Sequence, residues 1–205
     1  NSPCIIHGWP FANIAHGCSS IIATKLALKL SDFVVTEAGF WSDLWAEKFF
    51  NIKCDSWSFK PDLVVLVATI RSLKYNWGQD LKELSIKNLE TLEKWFPNLE
   101  KHIENMKKFG MNLVVCLNVF NTDTIEEIEF VKNKCLSLWV KVELWYWFSK
   151  WWDWMKSLTK TILQEIKNDK SNFTKLYNNN DTVINKIKSI VYEIYGGKNI
   201  ILSDK

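Results

Sequence analysis

Short runs rich in Val and Ile recur along the chain, separated by longer stretches whose apolar residues fall three and four apart. The runs are Cys4–His7, Phe33–Thr36, Leu63–Thr69, Leu113–Leu117 and Val140–Leu144. Near-continuous β-branched runs suit strands buried on both faces. The stretches Ile14–Leu30, Leu81–Leu92, Leu99–Phe109, Ile125–Leu138, Met155–Ile166 and Thr182–Tyr195 carry the helical period. Strands alternating with helices predict an α/β fold, a mostly parallel sheet flanked by helices. Phe109-Gly110 predicts a helix stop, and Asn98 and Thr124 are expected N-caps. With no internal repeat, residues 1–205 read as a single piece, with a sub-boundary expected in the polar stretch 168–181.

Open parallel sheets bind ligands beyond the carboxyl ends of their strands. That rule selects the loops Gly8–His16, Glu37–Asp43, Arg71–Tyr75, Asn118–Asp123 and Trp145–Trp154 as the frame of a site.

Composition narrows the partners. The net charge is +3 with the two signs interspersed, which is a solvated surface and not a nucleic-acid face. No run approaches the ~20 apolar residues of a membrane helix, and the N-terminus lacks a signal-peptide layout. The reading is a soluble, cytoplasmic protein without a membrane or nucleic-acid partner. Cys4, Cys18, Cys54, Cys116 and Cys135 show no metal-ligand spacing, so reduced, mostly buried thiols are expected and no metal site. The chain opens on Asn1 and stops soon after an apolar run, so both ends are expected to be cut.

The chain holds 12 Trp and only 7 Gly, where about 7% Gly is usual. The tryptophans fall where turns belong: Trp9 between Gly8 and Pro10, Trp77 before Gly78, and three in Lys150-Trp151-Trp152-Asp153-Trp154. Arg71 is the sole arginine among 26 basic residues, the bias of an AT-rich gene. Both facts suggest that most of these tryptophans are glycines in the organism, encoded by UGA in a lineage that reads UGA as glycine. Overpacking costs about 1–3 kcal/mol per site and a left-handed φ on a residue with a Cβ roughly 1–2 kcal/mol. A dozen such sites would exceed the ~5–15 kcal/mol that holds a domain together.

Longer motifs carry a resemblance. His7-Gly8-Trp9-Pro10-Phe11-Ala12-Asn13-Ile14-Ala15-His16-Gly17, Val34-Val35-Thr36-Glu37-Ala38-Gly39-Phe40 and Ala46-Glu47-Lys48-Phe49-Phe50 are similar to formate–tetrahydrofolate ligases. So are Lys60-Pro61-Asp62-Leu63-Val64-Val65-Leu66-Val67-Ala68-Thr69-Ile70-Arg71 and Pro97-Asn98-Leu99-Glu100-Lys101-His102-Ile103-Glu104-Asn105. The resemblance runs from Asn1 to about Ser203. Trp9, Trp41, Trp45, Trp151, Trp152 and Trp154 fall on family glycines, whereas Trp145 and Trp147 lie where the family varies.

The resemblance implies a P-loop NTPase-like α/β fold and a two-step reaction. ATP, with Mg, phosphorylates formate, and tetrahydrofolate attacks the formyl phosphate. It further implies a monovalent cation as a possible activator and a homotetramer. Phe120 matches a family aromatic that packs on the folate ring, and Phe148 stands where the family has a stacking tryptophan. Asn118 and Asp123 flank Phe120 in the same folate loop. Lys150, with Trp151, Trp152, Asp153 and Trp154, corresponds to a Lys-Gly-Gly-acid-Gly loop at a helix start, where free N–H groups suit an anion. Arg71 suits a carboxylate or phosphate by its planar fork, although a structural ion pair explains it equally. Phe11, Asn13 and His16 are expected to line the substrate cleft, and Glu37 and Asp43 to orient a cation or lysine. The family's Gly-Lys-Thr phosphate loop occurs nowhere in the chain, so the isolated chain is expected to be inactive.

Two other classes stay open. A Trp-rich binding module would use Trp139–Trp154 for sugar, membrane or partner contact. A GTPase-like switch would use Asn118–Asp123 for base recognition.

Overall fold

The computed structural model describes residues 18–39, 42–75, 80–146, 151–168 and 171–202, with the backbone alone for 151–154. The expected strand Cys4–His7 and the loop Gly8–His16 lie outside the described residues. In chain order the elements are α1 (Ile21–Leu30), π-helical turns Ser42–Ala46 and Phe49–Cys54, α2 (Asp55–Trp57), β1 (Val64–Ala68) and α3 (Ile70–Tyr75). A 3-10 turn (Leu81–Glu83), α4 (Leu89–Lys108), β2 (Leu113–Val119), α5 (Ile125–Ser137), β3 (Lys141–Tyr146), α6 (Trp151–Asn168), α7 (Val183–Ser189) and a π-helical turn (Ile190–Ile194) follow. Two compact units divide them, residues 1–60 with 174–205, and residues 61–173. Among the described residues no helix is long and apolar enough to cross a membrane.

The 61–173 unit is α/β. Its three strands lie in the order β1-β2-β3, all parallel, with Leu66 beside Val115 and Leu117 beside Leu144. Central β2 is buried because Val and Leu occupy both of its faces. Val114 and Cys116 pack against Leu158 and Ile162 of α6, so strand alternation puts Val115 and Leu117 on the opposite face. All four β2 residues are buried, and each such apolar side chain contributes roughly 1.5–3 kcal/mol. The segment after α6 is stitched to the same sheet. Ser171 Oγ donates to Asp62 O (2.7 Å) and Asn172 N–H to Gly110 O (2.8 Å).

Several expectations need correction. Phe33–Thr36 forms no strand: Val35 is 96% exposed, and no strand among the described residues pairs with it. Leu81–Leu92 is not one helix; it divides into the 3-10 turn and the start of α4. That helix then runs unbroken through Pro97, so Asn98 caps nothing. Proline removes one backbone donor, yet buried Leu92, Phe96, Leu99, Ile103 and Met106 stay in phase on one stripe across it. The true cap is Asn88, whose side chain accepts from Thr91 N–H at 2.9 Å. Thr124 does cap α5, in a full capping box with Glu127. Of the stretch Ile14–Leu30, the described part forms α1, capped by Ser20.

In the other unit, fully buried Lys53 donates to Thr24 Oγ1 (2.8 Å), Ser19 O (2.9 Å) and Cys18 Sγ (3.3 Å). That places three acceptors around a desolvated ammonium. Asn51 donates to Glu47 (2.7 Å) and accepts from Leu176 N–H (3.0 Å), and Lys175 pairs with Asp55.

Candidate functional site

The carboxyl ends of β1 and β2 bring four expected residues into one region. Beyond β1, Thr69 Oγ1 accepts from Ser72 N–H at 2.9 Å and starts α3 at once. Arg71 therefore lies in a helical first turn. The expected loop Arg71–Tyr75 is helix, because the Thr69 side chain satisfies one of the amides that a helix start leaves free.

Beyond β2, Phe120-Asn121-Thr122-Asp123 closes on itself in both directions. Asp123 N–H donates to Phe120 O (2.9 Å), and Phe120 N–H donates to Asp123 Oδ2 (2.8 Å). This fixes Phe120 at the strand tip, where the Arg71 guanidinium carbon sits 5.2 Å from its ring centroid. That is within cation–π range. The pair couples the tip of β2 to the first turn of α3.

The polar edge of this region is under-satisfied. Asp123 Oδ1 and Asn118 Oδ1 are buried and have no hydrogen-bond partner among the described residues. Burial pushes the Asp123 carboxyl above its ordinary range. The Phe120 N–H opposes that push, Glu127's charge adds to it, and Lys74 and Arg71 oppose it. Buried acceptors without donors are uncommon, and a water or a donor-bearing ligand can satisfy them.

Behind the region lies a pair that sequence reasoning missed. Lys74 and Glu127 are fully buried, 2.5 Å apart. Lys74 also donates to Ile86 O (2.9 Å) and Leu84 O (3.3 Å). Glu127 accepts from Asn88 N–H (2.9 Å), Thr124 N–H (3.1 Å) and the Thr124 hydroxyl (3.1 Å). Burial pushes the Glu127 carboxyl up, but hydrogen bonds from Lys74, Asn88 and Thr124 outweigh it and leave it below the usual range. The capping-box spacing was a signal for Glu127; no local pattern points to Lys74.

Phe11, Asn13, His16, Phe148 and Lys150 lie outside the described residues. Trp151, Trp152, Asp153 and Trp154 form the first turn of α6 and not the expected loop. Trp and Asp tolerate a helix where Gly does not. Glu37 and Asp43 belong to the other compact unit. Trp145 packs against the Val114–Leu158 cluster.

The region offers an aromatic face backed by a cation, with buried oxygen acceptors at its rim. A flat heteroaromatic ring bearing N–H groups fits that chemistry, and the guanidinium suits a carboxylate or acyl phosphate. Among known proteins, the family described as Formate--tetrahydrofolate ligase matches residues 1–205.

Proposed function

The chain belongs to the formate–tetrahydrofolate ligase family, whose substrates include ATP and tetrahydrofolate, and on that premise we propose that Arg71, Asn118, Phe120 and Asp123 form part of the ligation site. The observation that carries this reading is the 5.2 Å approach of Arg71 to the Phe120 ring beside two orphaned buried oxygens. Phe120 supplies one face for the pterin, and Phe148 the other. Asp123 and Asn118 accept hydrogen bonds from the N–H groups on the ring's edge.

Arg71 binds the formate carboxylate and then the formyl phosphate made from it. Formate attacks the γ-phosphorus of ATP and ADP leaves. N10 of tetrahydrofolate next attacks the formyl carbon, negative charge builds on the carbonyl oxygen, the C–O bond to phosphate breaks, and the N10 proton passes to the departing phosphate or to solvent. A fixed guanidinium stabilises charge that is larger in that transition state than in the ground state. Lys150 and the amides at the start of α6 hold phosphate. Magnesium would accompany the nucleotide and neutralise phosphate charge, and a monovalent cation would serve as an activator. The enzyme works in the cytoplasm as a homo-oligomer, a tetramer by the family's habit. The 205 residues carry no Gly-Lys-Thr phosphate loop, so they are inactive alone.

The test is kinetics of the intact enzyme. Phe120→Ala should raise KM for tetrahydrofolate with KM for ATP little changed, and Arg71→Lys should lower kcat by about 100-fold. Unchanged folate KM in a folded Phe120→Ala variant would refute the assignment.

A further inference from the structure

Helices α4 and α5 stop in the same way. After α4, Phe109 is the cap and Gly110 takes φ 69°, with Gly110 N–H donating to Lys107 O (2.9 Å) and Met111 N–H to Met106 O (3.2 Å). After α5, Leu138 is the cap and Trp139 takes φ 60°, with Trp139 N–H donating to Leu136 O (2.9 Å) and Val140 N–H to Cys135 O (3.1 Å). This double-bonded stop needs a left-handed residue just past the cap, usually glycine. The residues at the positions of its customary apolar closure, Met106 and Met111 in one case and Cys135 and Val140 in the other, are apolar and buried in both. Only the residue type differs. A third helical segment, Ile190–Ile194, is likewise followed by a left-handed glycine, Gly196 at φ 66°.

Nothing at position 139 offsets the clash of a Cβ in that conformation. The side chain is 94% exposed, so the indole gains no burial. Unlike Asn or Asp, it has no short polar group to bond the local backbone. This site occurs in a chain with 12 Trp and 7 Gly.

We propose that residue 139 is glycine in the protein as its own cells make it, from a UGA codon read as glycine. The same origin extends to Trp45, and to Trp9, Trp41, Trp151, Trp152 and Trp154. The inference at 139 uses only the backbone and does not depend on what the protein does. It is tested by sequencing the gene and by peptide mass spectrometry of the protein purified from its native cells, across Leu136–Lys141. The expected result is UGA at codon 139 and a peptide carrying glycine. A UGG codon, or tryptophan in that peptide, overturns the proposal. In recombinant protein made as written, Trp139→Gly should raise Tm by about 3 °C. A lower Tm would count against the backbone argument.

An independent observation yields a second inference, which rests on the proposed site. Glu127 holds both arms of the Arg71–Phe120 contact. Through Lys74 it fixes α3, one turn after Arg71, and through Thr124 it fixes the end of the Phe120–Asp123 turn. The geometry points to Glu127 as a positioning residue for the folate site. In the intact enzyme, Glu127→Gln should raise KM for tetrahydrofolate about tenfold while KM for ATP stays near parental. Should that variant not fold, Lys74→Arg, which keeps the charges but changes their span, carries the same expectation. If Phe120→Ala raises folate KM but folded Glu127→Gln leaves it parental, the positioning role is overturned. If Phe120→Ala leaves it unchanged, the site itself is wrong.

Discussion

Lys74→Met isolates the buried ion pair. Methionine fills most of the lysine stem, so the change removes a charge and little volume. Glu127 then stays fully buried with its bonds from Asn88 and Thr124, but without the cation 2.5 Å away. Removing one partner of a buried pair costs about 3–5 kcal/mol, a large part of the ~5–15 kcal/mol that holds a domain. For a chain of this size each kcal/mol lowers Tm by about 2–4 °C, so a fall of about 6–20 °C is expected. Adding Glu127→Gln should recover about half, because Gln keeps an oxygen for Asn88 or Thr124 and no longer buries a charge. Urea unfolding of the parent, both single variants and the double variant gives the coupling energy. The pH dependence checks the sign. Glu127's folded pKa is depressed, so its contribution is present above the ordinary carboxylate range and is lost as pH falls through the folded value. In Lys74→Met burial dominates instead, and acid should narrow the deficit. A loss under about 1 kcal/mol, or a deficit that does not depend on pH, would refute this account of the pair.

Asp123 should behave oppositely. Its folded pKa is raised, so its charge opposes folding above the ordinary carboxylate range, and that penalty disappears as pH falls. Asp123→Asn should therefore unfold no more easily than the parent at neutral pH while binding tetrahydrofolate more weakly, as paired urea and KM measurements would show. Thr124→Ala removes the α5 cap and should cost about 1–2 kcal/mol in urea unfolding. Burial pushes the Cys54 and Cys135 thiols up to about 12 and Cys116 up to about 11. A thiol reagent at neutral pH should label these three only as fast as the protein opens, and faster labelling in native buffer would contradict their burial.

The parallel sheet was legible because a strand buried on both faces must be apolar on both, and Leu113–Leu117 shows that in its residues. Phe33–Thr36 has the same composition, but a strand exists only when another supplies hydrogen bonds. Composition cannot report that neighbour. Pro97 misled through a local rule that the stripe from Leu92 to Met106 outweighs. For the candidate site, the motifs pointed to Phe120 and Arg71 but not to their contact. It depends on how β1 and β2 align side by side. Lys74 was invisible because its partner is distant in sequence, and a lysine in a helical stretch normally reads as solvated.

The first turn of α6 shows how far the written residues govern the fold. Indoles and Asp153 can continue a helix, and the helix runs back to Trp151. Glycine costs roughly 1 kcal/mol per helical position relative to alanine. Glycine in place of the three indoles would destabilise that turn by roughly 1–2 kcal/mol, enough to fray a terminal turn. The helix would then begin near Met155, and the preceding amides would be free to meet a phosphate at its N-terminus. The helical turn and the anion-binding loop are thus alternative outcomes of the same segment. Whether the residues are tryptophan or glycine chooses between them.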